Sequence, residues 1–240
     1  PRTLAAEQPL AVLEHHLKTG NSLVGSDSEE SEELESDAGG DGENASLADF
    51  GVARKGTIEQ LMRIYQDFIA IENQDLADVK EMEAKYDEFE RNKLRQRLEA
   101  MTNVHTAEEF GLDNLPSDAY QRMAAALEDD EKWAAIEGLQ WFEDAQKWAD
   151  ENDYFHWKLE YPEVFYDVDG NRVSDPGFDA VIGNPPYVRM EQIKPLKPFL
   201  SARYEVHDSR VDLYAYFLER SLELCSSKYG VIVSNKWMRA

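Results

Sequence analysis

The tetrapeptide Asn-Pro-Pro-Tyr at residues 184–187 combines groups that could bind and activate an aromatic amine. Pro185 and Pro186 fix φ and remove two N–H donors, which leaves a rigid arch with outward-pointing carbonyl groups. The Asn184 side-chain oxygen and the Pro185 carbonyl then form a pair of acceptors. Together with the Tyr187 ring, this pair favours a planar heterocycle that carries an exocyclic NH2 group.

The expected chemistry is nucleophilic attack by that amine. The two amino hydrogens would be donated to Asn184 and Pro185 while Tyr187 stacks on the ring. Drawing these hydrogens toward acceptors shifts the nitrogen toward tetrahedral geometry and exposes its lone pair, so that a methyl electrophile placed in line could be attacked. No strong base or metal is required, and the single Cys225 and the absence of an HExxH pattern give no metal-site spacing.

The elements around the motif predict an α/β fold. Residues 178–182 should form a short buried strand, residues 208–227 an amphipathic helix, and residues 230–235 a second buried strand. The inward face of that helix is expected to carry Val211, Tyr214, Phe217, Leu218, Leu222 and Cys225. Strand, helix and strand form a βαβ unit, part of a doubly wound Rossmann-like sheet, in which ligands bind at the carboxyl ends of strands.

Upstream of this unit, residues 155–159 alternate in polarity and predict another strand, and Asp169-Gly170 predicts a turn. Residues 26–56 are acidic and rich in Ser and Gly, which favours a disordered, solvated loop. Residues 57–153 predict a large helical insertion. One long helix or two stacked helices should cover 57–104, and a new helix should follow Pro116, capped by Ser117 or Asp118.

Two groups of side chains in the insertion allow alternative interpretations. Four bases are expected at a solvated helix end rather than in a phosphate patch: Arg91, Lys93, Arg95 and Arg97. Three tryptophans at helical spacing favour core packing over a base-stacking platform: Trp133, Trp141 and Trp148.

The charge distribution bears on the class of partner. The chain has 240 residues, 49 acidic and 25 basic, for a net charge of −24, and residues 26–155 carry −23 of it. The two flanking segments are nearly neutral, so the acidic total does not exclude a nucleic-acid substrate, although we expect the isolated chain to bind DNA poorly. The sequence lacks an apolar run long enough to cross a membrane and a signal-peptide pattern, which predicts a cytoplasmic protein.

The sequence around the motif resembles a known family of methyltransferases. NPPY after a hydrophobic strand resembles the catalytic motif of enzymes that methylate adenine N6 in DNA. The runs GFDAVIGNPPYVRME, DLYAYFLERSLEL and GVIVSNKW are similar to the gamma-class enzymes. LEHHLKTGNSLVG and FHWKLEYPEVF resemble segments of Type IIG restriction–modification and phage-defence adenine methylases. The resemblance covers about residues 8–25 and 154–240, and the middle resembles only the variable insertion of that subfamily.

This resemblance implies S-adenosylmethionine as the cofactor and DNA as the partner. It assigns residues 1–25 to the third-strand segment of the core and residues 154–240 to the catalytic segment. The position after Gly20 would supply a polar side chain to the cofactor adenine, and here that residue is Asn21, an uncharged departure from the usual Asp. Tyr187 would stack on an adenine flipped out of the duplex. Arg189 would contact a phosphate or lie on the solvated surface.

Some parts of the family pattern fall outside these residues. The glycine-rich cofactor loop is expected before residue 1, and the target-recognition domain after Ala240. We therefore expect a fragment that is inactive alone and binds the cofactor weakly. Two alternatives stay open. One is a methyltransferase that acts on protein glutamine or on RNA, since such enzymes carry similar motifs. The other is a partner-binding helical module on an inactive methyltransferase.

Overall fold

The computed structural model describes residues 16–26, 43–71, 76–189, 191–208 and 210–233. Its helices are α1 (Glu43–Ile69), α2 (Leu76–Glu90), α3 (Lys93–Glu109), α4 (Ala119–Ala126), α5 (Asp130–Glu137), α6 (Gln140–Asn152), α7 (Trp157–Glu160), α8 (Pro162–Phe165), α9 (Lys197–Arg203) and α10 (Leu213–Glu223). Its strands are β1 (Phe178–Gly183) and β2 (Cys225–Val231), and a 3₁₀ turn covers Lys194–Leu196. Within the described ranges, no helix is long and apolar enough to cross a bilayer.

The predicted βαβ unit is confirmed. β1 and β2 pair in parallel, with Val181 opposite Tyr229 and Ile182 opposite Gly230, and α10 lies between them in the chain. The second strand begins at Cys225, five residues before the predicted start. Only these two strands occur in the described part of the chain, so the larger doubly wound sheet remains a prediction.

The predicted burial of the strands is wrong on one face. Phe178 and Val181 pack against the apolar core of the helical region. By contrast, Ile182 is 86% exposed and Ile232, just beyond β2, is 68% exposed. The reason is that no described element covers this face of the two-stranded pair.

The inward face predicted for α10 is also partly wrong. The helix buries Leu213, Tyr216 and Arg220, which are three or four residues apart. Leu222 is 58% exposed, whereas Val211 and Phe217 are only partly buried at the margin of the same cluster. The helix is rotated in this way because it packs on a second apolar cluster that includes Leu23, Val24, Phe199, Leu200 and Tyr204.

The region predicted to be a helical insertion is helical, with different boundaries, and its place as an insertion stays a prediction. α1 begins at Glu43, so the loop predicted to reach residue 56 is wrong for residues 43–56; residues 27–42 lie outside the described residues. Three helices rather than one or two cover residues 57–104. The break before α3 occurs without Gly or Pro because the Asn92 side chain accepts hydrogen bonds from the backbone N–H groups of Leu94 and Arg95, at 2.9 and 3.2 Å.

The tryptophans pack as predicted. Trp133 and Trp141 are buried in the core of the insertion, and Trp148 packs at its edge. The new helix after Pro116 is also confirmed as α4. However, the Asp118 side chain does not cap it and instead forms an ion pair with Arg122.

The prediction of a solvated helix end for the four bases is wrong for two of them. Arg95 and Arg97 are buried in the first turns of α3. Arg95 contacts Glu160 at 2.9 Å and also lies close to Glu90 and Glu99. Arg97 donates to the Leu127 carbonyl at 2.7 Å. These side chains therefore join elements of the molecule instead of facing water.

The strand predicted at residues 155–159 is wrong. Extended pairing in this region is confined to an isolated parallel bridge between Asn21 and Tyr154 and a hydrogen bond from the Phe155 N–H to the Val24 carbonyl, at 2.7 Å. The chain then turns into α7 and α8, where Pro162 occupies a first helical position that needs no N–H donor. The expected end of the third core strand is thus a single bridge at Asn21 in the described residues.

The predicted turn at Asp169-Gly170 is confirmed. The Gly170 N–H donates to the Asp167 carbonyl at 3.0 Å, and Gly170 has a φ of 71°, which glycine adopts without strain. A short antiparallel bridge between Tyr166 and Arg172 closes this turn.

Candidate active site

The Asn-Pro-Pro-Tyr loop leaves the carboxyl end of β1. Asn184 directly follows Gly183, the last residue of the strand, and the Ile232 N–H donates to the Gly183 carbonyl at 3.0 Å. The parallel pairing with β2 therefore extends to the first residue before the loop. Ligands of α/β sheets bind at this edge, so the loop is in the position that the sequence predicted.

Tyr187 is held by its hydroxyl group and exposed at its ring. The hydroxyl donates to the Ile232 carbonyl at 3.2 Å, and the ring centroid lies 6.5 Å from that of Tyr214. The residue is nevertheless 55% exposed. A tyrosine that is fixed at one end and open along its ring can contact a flat heterocycle.

The proline arch is anchored on both sides. Pro185 is buried, whereas Asn184 and Pro186 are exposed. On the far side of the loop, the Leu213 N–H at the start of α10 donates to the Val188 carbonyl at 3.0 Å. The burial of one proline and this hydrogen bond restrict the loop, while the Asn184 amide remains accessible to a ligand.

Arg189 lies just beyond this anchor. The residue is exposed, and its carbonyl accepts a hydrogen bond from the Gln192 N–H at 2.9 Å in a turn. This position agrees equally with a phosphate contact and with a solvated side chain, so the role of Arg189 stays a prediction.

Asn21 lies in the wall of a separate cavity of about 560 Å³. Its side-chain oxygen accepts from the Leu23 N–H at 3.3 Å, and its backbone N–H donates to the Asp153 carbonyl at 2.7 Å. The cavity is lined by Thr19, Gly20, Asn21, Glu99, Asn103, Ala149, Asp150, Asp153 and Tyr154. The structure therefore places Asn21 among acceptor groups, and five of the nine lining residues come from the helical region of residues 57–153.

This lining fits the adenosine part of S-adenosylmethionine. The volume falls in the range of small-molecule sites. Amide and carboxylate oxygens of Asn21, Asn103 and Asp150 can accept from the amino and hydroxyl groups of an adenosine. Burial raises the pKa of the Glu99 carboxyl, and the neighbouring Arg95 opposes this shift.

The sequence did not indicate that Glu99, Asn103 and Asp150 would line this cavity. They lie about 80–130 positions after Asn21 and carry no motif of their own. The same is true of Ile232, which acts through its backbone and so leaves no side-chain signal. Tyr204 donates to the Leu23 carbonyl at 2.8 Å and links α9 to the segment that carries Asn21.

Within the residues that the structure describes, no three His, Cys, Asp or Glu side chains are grouped so that they could hold a metal ion.

Comparison with known proteins identifies the family. The model of the Eco57I restriction-modification methylase family matches residues 69–240, well over half of the chain. The chain therefore belongs to the Eco57I restriction–modification methylase family, which confirms the resemblance recognised in the sequence. No solved structure gives a significant match.

Individual relatives match over a shorter region. The chain is 45% identical over 65 residues to the Type II methyltransferase M.PaeR7I of Pseudomonas aeruginosa, and 41% identical over 66 residues to the Type II methyltransferase M.BstVI of Geobacillus stearothermophilus. Each match covers 26% of this chain and 11% or 12% of the relative. The chain thus spans only about a ninth of the length of the curated relatives that it matches.

Proposed function

We propose that this chain carries the acceptor-amine site of an S-adenosylmethionine-dependent enzyme that methylates adenine N6 in DNA, within a restriction–modification or phage-defence system. The observation that supports this most strongly is the Asn-Pro-Pro-Tyr loop at the carboxyl end of β1. It is tethered through Gly183 and Tyr187 to the same residue, Ile232. Membership of a restriction–modification methylase family favours DNA over protein glutamine or RNA.

In this proposal Asn184 and Pro185 accept the two amino hydrogens of adenine. The nitrogen lone pair is thereby freed for attack, and the amine proton leaves to solvent after transfer. When bound, S-adenosylmethionine would supply the methyl group: its sulfur–methyl bond would break as the nitrogen–methyl bond forms, and the neutral thioether would be the leaving group. Asn21 and the acceptors around it hold the adenosine part of that cofactor through its amino and hydroxyl groups.

Tyr187 receives the adenine after it leaves the base stack. Access to N6 inside a duplex is blocked, so the base must be flipped out at a cost of a few kcal/mol. Stacking on an aromatic ring returns about 1–3 kcal/mol. The exposed ring of Tyr187, fixed at its hydroxyl group, suits this role because little freedom is lost when the base binds.

The proposal is tested with the intact protein and methyl-labelled S-adenosylmethionine, supplied in separate reactions with duplex DNA, RNA or protein. Digestion of the DNA to nucleosides should show the label in N6-methyladenine. The Asn184→Ala variant should lose this activity. Asn171→Ala, which changes an exposed asparagine in the turn after Tyr166, is its matched control and should retain the activity. Label in RNA or in protein glutamine, with none in DNA, would overturn the assignment of the substrate.

A further inference from the structure

A series of hydrogen bonds runs through the helical region and reaches the wall of the cavity of about 560 Å³. The Ser26 N–H donates to Nδ1 of His156 at 3.2 Å, and Nε2 of His156 lies 2.7 Å from Oδ1 of Asn103. Nδ2 of Asn103 donates to Oε1 of Gln146 at 2.9 Å, and Nε2 of Gln146 donates to the Ala100 carbonyl at 2.9 Å. Asn103 is the member of this series that lines the cavity.

The direction of every hydrogen bond in the series is fixed because both of its ends are backbone groups. A backbone N–H can only donate, and a carbonyl oxygen can only accept. Nδ1 of His156 accepts from Ser26, so the proton of the neutral ring lies on Nε2 and is donated to Asn103. Burial, reinforced by nearby His105 and Arg95, lowers the pKa of His156 to about 3, and the ring is therefore neutral at pH 7.

Asn103 is held in one amide orientation by these contacts. A flipped amide would place an N–H group against the His156 proton and an oxygen against the Gln146 oxygen. Within the described part of the chain, the two contacts use one lone pair of Oδ1 and one hydrogen of Nδ2. One acceptor position and one N–H of this cavity-lining side chain are thus left for a ligand.

An amide of fixed orientation can distinguish adenine from a base that carries a carbonyl group at the same position. Adenine has an amino group beside a ring nitrogen that accepts, and a carboxamide matches this pair with one accepted and one donated hydrogen bond. The two amino hydrogens can be shared between Asn103 and Asn21, which lines the same cavity. Hypoxanthine has a carbonyl oxygen in place of the amino group, and this oxygen would repel the oxygen of Asn103.

We propose that Asn103 recognises the adenine of the cofactor and that His156 is the positioning residue that fixes the orientation of Asn103. This inference rests on the proposed function, because it takes the ligand of the cavity to be S-adenosylmethionine. It adds a determinant of cofactor specificity from the helical region, on α3. His156 is not part of the cavity lining and acts through Asn103.

The test compares two ligands that differ at one position of the base. S-Adenosylhomocysteine and S-inosylhomocysteine share the same ribose and amino-acid parts and carry adenine and hypoxanthine, respectively. Calorimetry on the intact protein gives the two dissociation constants, and their ratio is the readout. We expect the wild type to prefer the adenine compound by at least about tenfold, because hypoxanthine leaves polar groups of the site unpaired. A loss of folded protein affects both compounds equally, so the ratio separates recognition from stability.

Two substitutions of His156 separate its two hydrogen bonds. The side-chain amide of asparagine reaches about as far as Nδ1 of the ring, and that of glutamine about as far as Nε2. His156→Asn should keep the acceptor for Ser26 and lose the donor to Asn103, so the preference for adenine should fall by at least about fivefold. The conservative variant His156→Gln keeps a donor to Asn103 and should retain the preference.

Direct substitution of Asn103 gives the reference value. Asn103→Ala should lower the preference for adenine at least as far as His156→Asn does, because it removes both groups that the base would contact. Asn171→Ala changes an exposed asparagine away from the cavity and should leave the preference unchanged.

Gln146 allows the same comparison from the other end of the series if the His156 variants do not fold. Gln146→Leu removes the acceptor for Nδ2 of Asn103 and should lower the preference, whereas Gln146→Glu keeps an acceptor and should retain it. The inference is overturned if S-adenosylhomocysteine binds the wild type but the preference is absent, or is the same in Asn103→Ala and in the variants that release its orientation. The cofactor site would then stand without it. If S-adenosylhomocysteine does not bind the wild type, the cofactor site itself is wrong and the inference fails with it.

Discussion

The hydroxyl group of Tyr187 donates a hydrogen bond of 3.2 Å to the backbone carbonyl of Ile232. The N–H of Ile232 donates in turn to the carbonyl of Gly183, which immediately precedes the Asn-Pro-Pro-Tyr loop. Ile232, the residue directly after β2, therefore forms hydrogen bonds both with the residue that precedes the loop and with Tyr187 at its aromatic end. The parallel register of the two strands thus determines where Asn184 and Tyr187 lie relative to each other.

This relationship separates two roles of Tyr187. Tyr187→Ala removes the ring and should weaken binding of a flipped adenine by about 1–3 kcal/mol, or roughly five- to 150-fold. Tyr187→Phe keeps the ring and loses only the hydrogen bond to Ile232, worth about 0.5–1.5 kcal/mol. The measurement is 2-aminopurine fluorescence with a duplex that carries the analogue at the target position. Equal losses in both variants would show that the hydroxyl tether, not stacking, is what the loop requires.

Asn21 offers a test of the cofactor site. Asn21→Ala should weaken binding of S-adenosylmethionine by about two- to tenfold, the value of one hydrogen bond. Asn21→Asp keeps an acceptor and adds charge, so it should bind the cofactor at least as tightly as the wild type. Both affinities are measured by calorimetry on the intact protein. If the Asn21→Ala and Asn21→Asp variants bind S-adenosylmethionine with the same affinity, the Asn21 side chain serves only the turn in which it accepts from the Leu23 N–H.

Gly25 tests how the segment of residues 16–26 docks on the rest of the chain. A Cβ atom at Gly25 would collide with the Phe155 carbonyl oxygen, a backbone atom that cannot move freely. Gly25→Ala should therefore lower the free energy of unfolding by about 1–3 kcal/mol. Gly56, in α1, has open space around it, and Gly56→Ala should raise the same quantity by about 0.5–1 kcal/mol. Urea titrations measure both, and a neutral Gly25→Ala would contradict the docking.

The buried side chain of His156 should make the folded protein less stable at acidic pH. Burial, reinforced by nearby His105 and Arg95, lowers the pKa of His156 from 6.5 to about 3. The ring is held neutral, since its Nδ1 accepts from the Ser26 N–H. Between pH 6.5 and pH 3 the unfolded chain therefore binds a proton that the folded chain does not. Stability should fall by about 1.4 kcal/mol for each pH unit in this window as the pH decreases.

The control for this pH dependence is a second histidine. His156→Gln should flatten the slope between pH 6.5 and pH 4, although it lowers stability at neutral pH. His16→Gln changes an exposed histidine and should retain the wild-type slope. The readout is the free energy of unfolding against pH, and an unchanged slope in His156→Gln would show that other groups cause the acid sensitivity.

The sequence predicted the βαβ unit and the position of the loop because both depend on local patterns. A hydrophobic run followed directly by two prolines defines the end of β1, and regular spacing defines α10. The burial of these elements could not be predicted, because it depends on which surfaces meet in space. Ile182 is apolar in a strand pattern, yet it is exposed because no described element covers it.

The helical insertion shows the same limit. Its periodicity identified helices, but the start of α3 is fixed by hydrogen bonds to the Asn92 side chain, at a break that contains no Gly or Pro. Arg95 was expected at a solvated helix end, where a basic side chain opposes the carbonyl end of the helix dipole. Its acidic partner Glu160 lies 65 positions away, so the buried pair is visible only in three dimensions.

Asn184 gives the most direct test of the central claim. The measurement is the single-turnover rate of methyl transfer to adenine N6 in duplex DNA, by the intact protein and its Asn184→Ala variant, with S-adenosylmethionine and DNA affinities measured in parallel. We expect the rate to fall by at least about 10²-fold, the loss typical of one preorganised group that acts on the transition state. Both affinities should change less than about threefold. A rate within a few-fold of the wild type would contradict the assignment of Asn184 as an acceptor of the reacting amine.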